Sequence, residues 1–200
     1  NIKNPKVSIC IPFHWMKNWQ FFLIRCLKSI EKQTFKDYEI IITKSGKMAE
    51  NTNAGIKKAT GEIIKILYLD DYLTGEKSLE RIIVGFKGGW LATACYHDNG
   101  NAVGNYHESS FDGILEGKNT IGGPSVIAFE NKKPLLFDEK MSWLLDVEYY
   151  QRLFKRYGGP TLLTSADTTI GIHGGQMTHI LTDQEKKEEF DYLKKKYGKE

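Results

Sequence analysis

Short apolar runs alternate with amphipathic segments along the first part of the chain. Residues 7–12 and 38–43 are rich in β-branched apolar side chains, which predicts two buried strands. Between them, residues 20–33 carry apolar side chains at helical spacing. A strand, a helix and a second strand within about 40 residues predict a parallel βαβ unit.

The same alternation continues to an acidic pair. Residues 48–60 predict a second helix, ended by Gly61, and residues 62–69 predict a third buried strand. Asp70 and Asp71 follow that strand directly. Because ligands of open parallel sheets bind outside the carboxyl ends of the strands, this position makes the acidic pair the first candidate site.

Periodicity is weaker in the second half, where glycine, asparagine and serine interrupt the pattern. The elements predicted there and just before are a helix at 74–87, a strand at 90–96, loops with a short hairpin over 97–123, a strand at 126–129, a helix at 143–157, a mostly extended segment at 161–172 and a charged helix at 183–197. His97, Asp98 and His107 match no zinc-ligand spacing, and we interpret them as loop residues.

Composition narrows the class of protein. With 200 residues, 40% hydrophobic and 26% charged, the chain has the size and balance of one globular domain. A net charge of +3 with interleaved acids and bases argues against nucleic acid as a partner. Three widely spaced cysteines indicate a reducing compartment, and no signal peptide or long apolar run is evident, so we expect a cytoplasmic location.

Carboxylates give the acidic pair a chemical interpretation. Their oxygens are the ligands that Mg²⁺ and Mn²⁺ prefer. A metal ion held there can neutralise a diphosphate leaving group. Taken alone, however, Asp70 and Asp71 are better explained as a solvated turn after a strand, so the metal interpretation depends on the surrounding motifs.

Several short motifs surround the pair in a fixed order. They are Val7–Pro12, Leu27-Lys28-Ser29-Ile30 with Gln33-Thr34-Phe35, Tyr38–Ile42, Asn53-Ala54-Gly55-Ile56, Ala59-Thr60-Gly61-Glu62 and Leu67–Leu73. Their joint order and spacing resemble the family 2 glycosyltransferases, nucleotide-diphospho-sugar transferases with the GT-A fold. The resemblance continues past Asp146 to His173. It implies a single α/β GT-A (Rossmann-like) domain, with a mostly parallel central sheet flanked by helices.

The resemblance also implies a reaction and a role for each part of the chain. Residues 1–96 would bind the nucleotide sugar, residues 97–182 would form the acceptor and catalytic half, and residues 183–200 would add a C-terminal helix. The expected activity is inverting, metal-dependent transfer of a sugar from a nucleoside-diphosphate sugar to an acceptor hydroxyl. The expected cofactor is Mn²⁺ or Mg²⁺, the expected donor a UDP-sugar, and the acceptor a saccharide, glycan or glycoprotein.

Two residues are implied as metal ligands. Asp70 falls on the second aspartate of the family's DxD motif, whose first aspartate is replaced by Tyr68, and Asp71 takes the next acidic position. His173 falls on a late histidine that reaches the metal or the diphosphate in the family. Glycines near His173 allow close backbone approach to a phosphate, although a histidine between glycines is also an ordinary loop residue.

The donor pocket departs from the family pattern. The residues placed around the donor by the resemblance are Pro12, Phe13, His14, Thr43, Lys44, Asn53, Tyr68, Asp71 and Gly123. Residues 43–46 lack the acidic residue that reads uracil in the family, so Lys44 faces a phosphate or another base, or is an exposed loop lysine. The aromatic rings of Phe13, His14 and Trp15 either stack on a base or pack internally.

Asp146 is the candidate catalytic base. It lies in the segment 143–153, which resembles the family element that carries the base, with Leu145 in place of the usual glutamate. Without the resemblance, an aspartate in the first turn of a helix is explained by the helix dipole. We expect Glu148 to pair with Arg152, four residues further on.

Other functions remain open at this point. One is a sugar-nucleotide-binding module without catalysis, and another is a nucleotidyltransferase, although residues 12–18 lack the glycines of its phosphate loop. A dehydrogenase is disfavoured because GxGxxG is absent. The basic run 194–196 is interpreted as the solvated face of a terminal helix, with peripheral contact to an anionic membrane as the alternative.

Overall fold

The protein is built around one eight-stranded sheet, and the computed structural model describes residues 4–197. The strands are β1 (Val7–Pro12), β2 (Tyr38–Thr43), β3 (Ile63–Ile66), β4 (Tyr72–Leu73), β5 (Trp90–Asp98), β6 (Val103–His107), β7 (Ile127–Glu130) and β8 (Thr161–Gly171). The helices are α1 (Trp19–Glu31), α2 (Met48–Lys58), α3 (Ser78–Gly85), α4 (Leu145–Tyr157), α5 (Met177–Ile180) and α6 (Asp183–Tyr197).

The strand order is β2-β1-β3-β7-β5-β8-β4, and β6 pairs with β5. Pairing is parallel for β1 with β2, β1 with β3 and β5 with β8, and antiparallel for the other neighbours. Because β7 lies antiparallel between β3 and β5, the strands β1, β2, β3, β5 and β8 all point the same way. The predicted α/β class with a mostly parallel central sheet is therefore confirmed.

The apolar pattern of β1 explains why the sheet is covered on both faces. Val7, Ile9 and Ile11 pack with Cys26 of α1 on one face. Cys10 belongs to the larger cluster on the other face, which includes apolar residues of α2. A parallel strand buried on both faces reads as a continuous apolar run, which is the pattern that predicted β1 with its observed bounds.

Two features of the sheet were not predicted. The third strand ends at Ile66 rather than at residue 69, and the short strand β4 pairs antiparallel with β8 about a hundred residues later. The hairpin expected within 97–123 is confirmed as β5–β6, but the interpretation of His97, Asp98 and His107 as loop residues was wrong. The first two end β5 and the third ends β6, because pairing with β6 and β8 extends these strands.

Helices α4 and α6, both in the second half of the chain, lie close to their predicted positions. Helix α4 begins at Leu145 instead of residue 143, and α6 covers the predicted span of 183–197. Among residues 4–197, every helix is too short or too polar to cross a lipid bilayer.

Candidate active site

The acidic pair lies in a turn just past β3, at the carboxyl edge of the parallel strands. Asp70 and Asp71 are both buried, at 9% and 4% exposure. The Asp71 carboxylate points inward, where its Oδ1 accepts a hydrogen bond from the Gly171 amide at 2.9 Å. The Asp71 amide donates to the Tyr68 carbonyl at 3.0 Å, which closes the turn. Asp71 therefore braces the turn, and Asp70 is the carboxylate nearer the surface.

Asp71 is balanced by a buried lysine on β3. Burial, with Asp70 adding, raises the pKa of Asp71 well above its usual range, while hydrogen bonds from Ser125 and Gly171 oppose the rise. Lys65 is fully buried, and its Nζ donates to the Ser125 carbonyl. Burial lowers the pKa of Lys65 to about 7, and the nearby Asp71 carboxylate opposes that shift. Each of these buried groups thus stabilises the charged form of the other.

Asp70 meets the histidine that the sequence singled out. The Nε2 atom of His173, just after β8, lies 2.8 Å from Asp70 Oδ2. The Gly175 amide donates to His173 Nδ1 at 3.1 Å, and the ring of Phe22 lies 5.6 Å away between centroids. The structure therefore brings together two predicted metal-binding residues that are 103 positions apart in the chain.

His14 faces the same pair. Its Nδ1 atom is buried and has no hydrogen-bond partner among residues 4–197. Burial lowers the pKa of His14, the Asp70 carboxylate opposes this, and His173 lowers it further, so all three groups lie within electrostatic reach of one another. Sequence motifs had linked His14 only to the nucleobase.

Asp70 and His173 are the side chains at this turn that could hold a metal ion. Within the described part of the chain, His, Cys, Asp and Glu side chains form no ready-made cluster of three that would enclose a metal ion. Mg²⁺ and similar hard ions usually take one or two carboxylates and complete their coordination with water and substrate phosphates. Asp70 can supply such a carboxylate at the sheet edge, and the imidazole nitrogen of His173 lies beside it as a second donor.

An arginine that was not predicted from the sequence holds the acidic turn in place. Arg25 of α1 donates to Asp98 Oδ2 at 2.7 Å and to the main-chain carbonyl of Asp70. Its guanidinium lies 4.4 Å from the centroid of the Tyr72 ring. No local motif marks Arg25 or Asp98, because the three bonded segments are distant in sequence and meet only through the sheet.

Asp146, the candidate base, lies in the first turn of α4. It is the second residue of α4, and its Oδ2 accepts from Asn119 Nδ2 at 2.6 Å while Oδ1 accepts from the Val147 amide at 2.7 Å. Burial raises the pKa of Asp146 to about 7, main-chain donors oppose the rise, and the charge of Glu189 adds to it. A carboxylate with this pKa can exchange a proton near neutral pH.

Tyr68 lies within electrostatic reach of both acidic centres, the pair Asp70-Asp71 and Asp146. Burial raises the pKa of its phenol, and Asp146, Asp71 and Asp70 all act in the same direction. The Tyr68 amide donates to Ser125 Oγ at 2.8 Å, which holds the residue at the end of the β3 segment. Tyr68, which replaces the first aspartate of the motif, is therefore an uncharged group near both acidic centres.

The aromatic segment after β1 divides into packed and exposed rings. Phe13 is buried and packs edge-to-face with Trp15 and Trp19, at 4.9 and 5.2 Å between centroids. Trp15 is 62% exposed, and Lys44 Nζ lies 4.2 Å from its ring centroid. Of the two interpretations left open by the sequence, internal packing describes Phe13, while Trp15 offers an accessible ring.

Two more of the residues expected around the nucleotide sugar form hydrogen bonds to main-chain groups of the protein. Thr43 is buried, and its hydroxyl donates to the Asn51 carbonyl at 2.9 Å. Asn53 is buried, and its side chain bonds both the amide and the carbonyl of Phe137, at 2.7 and 3.0 Å. The third, Pro12, ends β1 in register with Thr43. These contacts give the three residues a structural role.

Gly123 and Glu148 also have roles that were expected from the sequence. Gly123 has open space where a Cβ would stand, and it precedes the turn at Pro124. Glu148 pairs with Arg152 as expected, through two bonds of 2.7 and 2.6 Å. Lys196 also reaches Glu148, so one residue of the basic run is part of an internal ion pair.

Comparison with known proteins supports the fold. No protein-family model matches the sequence, and no curated protein matches it. Residues 1–349 of S. aureus TarS in complex with UDP-GlcNAc superpose with a TM-score of 0.67 at 15% identity, covering 94% of this chain and 65% of that one. The complex of the same protein with UDP gives 0.65 at 14% identity, with 84% and 61% covered.

A second protein has the same architecture. The mannosyltransferase PcManGT from Pyrobaculum calidifontis, in complex with GDP-Man and Mn²⁺, superposes with a TM-score of 0.57 at 15% identity, covering 89% of this chain and 59% of that one. The chain thus spans less than two thirds of the length of each of these structures. At such low identity the likeness establishes the fold, which is GT-A.

Proposed function

We propose that the chain is an inverting glycosyltransferase that moves a sugar from a nucleoside-diphosphate sugar to an acceptor hydroxyl. The observation that carries this proposal is that Tyr68 lies within electrostatic reach of two different acidic centres: Asp70, which is bonded to His173, and Asp146, whose pKa is raised. One similar structure holds UDP-GlcNAc, and another is a mannosyltransferase with GDP-Man and Mn²⁺, which supports a nucleotide-sugar donor.

At the donor end, Asp70 and His173 would hold Mn²⁺ or Mg²⁺. When bound, such an ion supplies positive charge that stabilises the departing diphosphate. The protein's own contribution is a fixed turn: Arg25 holds the Asp70 carbonyl, and the Gly171 amide holds Asp71. His14, Trp15 and Lys44 offer an imidazole, an exposed ring and a cation for the nucleotide.

At the acceptor end, Asp146 is the general base. Its carboxylate takes the proton of the acceptor hydroxyl as that oxygen attacks the anomeric carbon, and the bond to the diphosphate oxygen breaks on the opposite face. The transition state is oxocarbenium-like, as in other glycosyl transfer. Asn119 donates to one carboxylate oxygen at 2.6 Å and so holds the base in a defined orientation.

A binding module without catalysis is the second candidate. It is favoured by one observation, the uncharged Tyr68 at the position of the first motif aspartate. The two candidates differ in turnover. Release of sugar from the donor in the presence of Mn²⁺, with or without acceptor, identifies an enzyme, whereas binding without any release identifies the module.

The base is tested by Asp146→Asn. We expect turnover to fall by roughly 10²-fold or more with donor affinity unchanged, because a lost general base affects the transition state and not the bound donor. Asp37→Asn is the matched control and should retain full turnover, because Asp37 is exposed and precedes β2, at the end of the strand opposite to the site. The measurement is a transfer assay paired with donor titration calorimetry. Normal turnover in the Asp146 variant would disprove the assignment.

A further inference from the structure

The segment leading into α4 is held by a carboxylate from another helix. Glu189 of α6 accepts hydrogen bonds from three successive amides, those of Ser142, Trp143 and Leu144, at 2.7, 2.9 and 2.9 Å. Leu144 is the N-cap residue of α4 and provides no side-chain cap. The distant carboxylate therefore holds the segment that enters α4, up to the amide of the N-cap residue itself, through charge-assisted hydrogen bonds.

Helix α6 is fixed against the same region by further polar contacts. Tyr192 donates to Asp138 at 2.9 Å, and Lys196 bridges Asp138 and Glu148 at 2.6 and 2.8 Å. Leu193 is buried in the main apolar cluster. Because α6 is anchored both to the loop before α4 and to α4 itself, its carboxylate holds a defined position relative to the first turn of that helix.

We propose that Glu189 is a positioning residue, which fixes residues 142–144 and thereby sets the direction in which Asp146 presents its carboxylate to the acceptor. This inference rests on the proposed role of Asp146 as the base. The bonded amides end two residues before Asp146, so a shift of this segment moves the first helical turn as a unit. Small displacements of a reacting group are known to cost up to about 10²-fold in rate.

The charge of Glu189 reinforces this role. The Asn119 amide and the uncharged phenols of Tyr68 and Tyr150 lie near Asp146. The Glu189 carboxylate also acts on Asp146, and it carries a negative charge. A negative neighbour favours the protonated form, so removal of that charge lowers the pKa of Asp146. The acidic limb of the rate profile then moves to lower pH in a variant that lacks it.

Glu189→Gln is the decisive variant, because it keeps the shape and removes the charge. We expect kcat to fall by about 10-fold or more with the donor KM within about twofold of wild type, and the acidic limb to move to lower pH. Glu189→Asp keeps the charge on a shorter chain and should recover part of kcat. Glu188→Gln is the matched control, since Glu188 is exposed and bonds only its helical neighbour Gln184 among the described residues.

Each outcome decides the matter. Wild-type kcat and an unmoved pH limb in Glu189→Gln would overturn the inference, as would equal losses in Glu189→Gln and Glu189→Asp that follow the unfolded fraction seen by circular dichroism. If the wild type transfers no sugar at all, the proposed function fails instead. The carboxyl ¹³C resonance of Asp146 then decides separately: a lower titration midpoint in Glu189→Gln supports the contact between the two groups, and an unchanged midpoint refutes it.

Discussion

At the scale of single residues, Gly171 is where strand β8 comes closest to the acidic turn. A Cβ placed there would lie 2.4 Å from the Asp70 carbonyl oxygen and 3.2 Å from the Arg25 guanidinium. Both neighbours are fixed, one as main chain and the other by its bond to Asp98. A side chain at this position therefore has to move the turn itself.

Gly171→Ala should destabilise the fold and weaken donor binding together. We expect a loss of about 1–3 kcal/mol in the free energy of unfolding, the usual range for overpacking, and lower affinity because Asp70 moves with its backbone. Urea unfolding and donor calorimetry measure the two effects. Gly174→Ala is the control, since nothing lies within 4 Å of its added Cβ. Unchanged donor affinity in Gly171→Ala would show that the turn tolerates the shift.

Asp146 gives a pH dependence of stability with a definite sign. Its pKa is raised from 3.8 to about 7 by burial, so between these values the folded chain binds more protons than the unfolded chain. Stability contributed by this residue therefore falls as pH rises through that window and stays lost above it. The same half-buried carboxylate that can act as a base near neutral pH thus destabilises the fold there.

Asp146→Asn should for this reason gain stability relative to wild type as pH rises. We expect the difference in melting temperature between variant and wild type to be larger at about pH 8 than at about pH 5, because the amide never ionises. Differential scanning calorimetry at both values measures it. Asp37→Asn, at an exposed position, should show no such widening. An equal difference at both pH values would mean that the carboxylate is not desolvated.

At the scale of elements, sequence patterns predicted those features whose cause is local. The bounds of β1 and β2 follow from short β-branched runs, and the span of α6 follows from its periodicity. The two-residue strand β4 and the full length of β5 could not be predicted in this way, because they depend on pairing with β8, which lies far along the chain.

The same distinction applies to the candidate site. Asp70 and Asp146 stand at the end of a strand and the start of a helix, so pattern and motif order were sufficient to nominate them. Arg25 and Glu189 act on them from other elements, and no local spacing marks either residue. Glu189 in particular belongs to a helix that the sequence presented only as charged and solvated. Supporting residues of this kind become visible only in the tertiary structure.

At the scale of the whole molecule, the proposed site joins the carboxyl edge of the sheet to helix α4. The proposed donor end is built on the parallel strands β1, β2 and β3, and its histidine follows the end of β8. The proposed acceptor end is built on α4, and α6 bonds to the residues just before that helix. Because β1, α2 and α4 contribute side chains to the same apolar cluster, ligand binding at one end should stabilise the molecule as a unit.

Thermal shift with nucleotide sugars therefore tests donor class and metal together. A ligand at about 100 times its Kd adds about 2.7 kcal/mol to the free energy of unfolding. For a chain of this size that corresponds to a rise of roughly 5–10 °C in Tm. We expect a UDP-sugar or a GDP-sugar to produce it with Mn²⁺ present and to produce less without Mn²⁺.

Asp70→Asn supplies the internal comparison for that screen. It should abolish the part of the shift that depends on Mn²⁺, because an amide oxygen is a weaker ligand for a hard cation than a carboxylate. Asp37→Asn should keep the full shift, since its carboxylate is exposed and remote from the turn. A Mn²⁺-dependent shift of the same size in Asp70→Asn and wild type would place the metal elsewhere. The difference between the shifts with UDP- and GDP-sugars in the same screen then identifies the base of the donor.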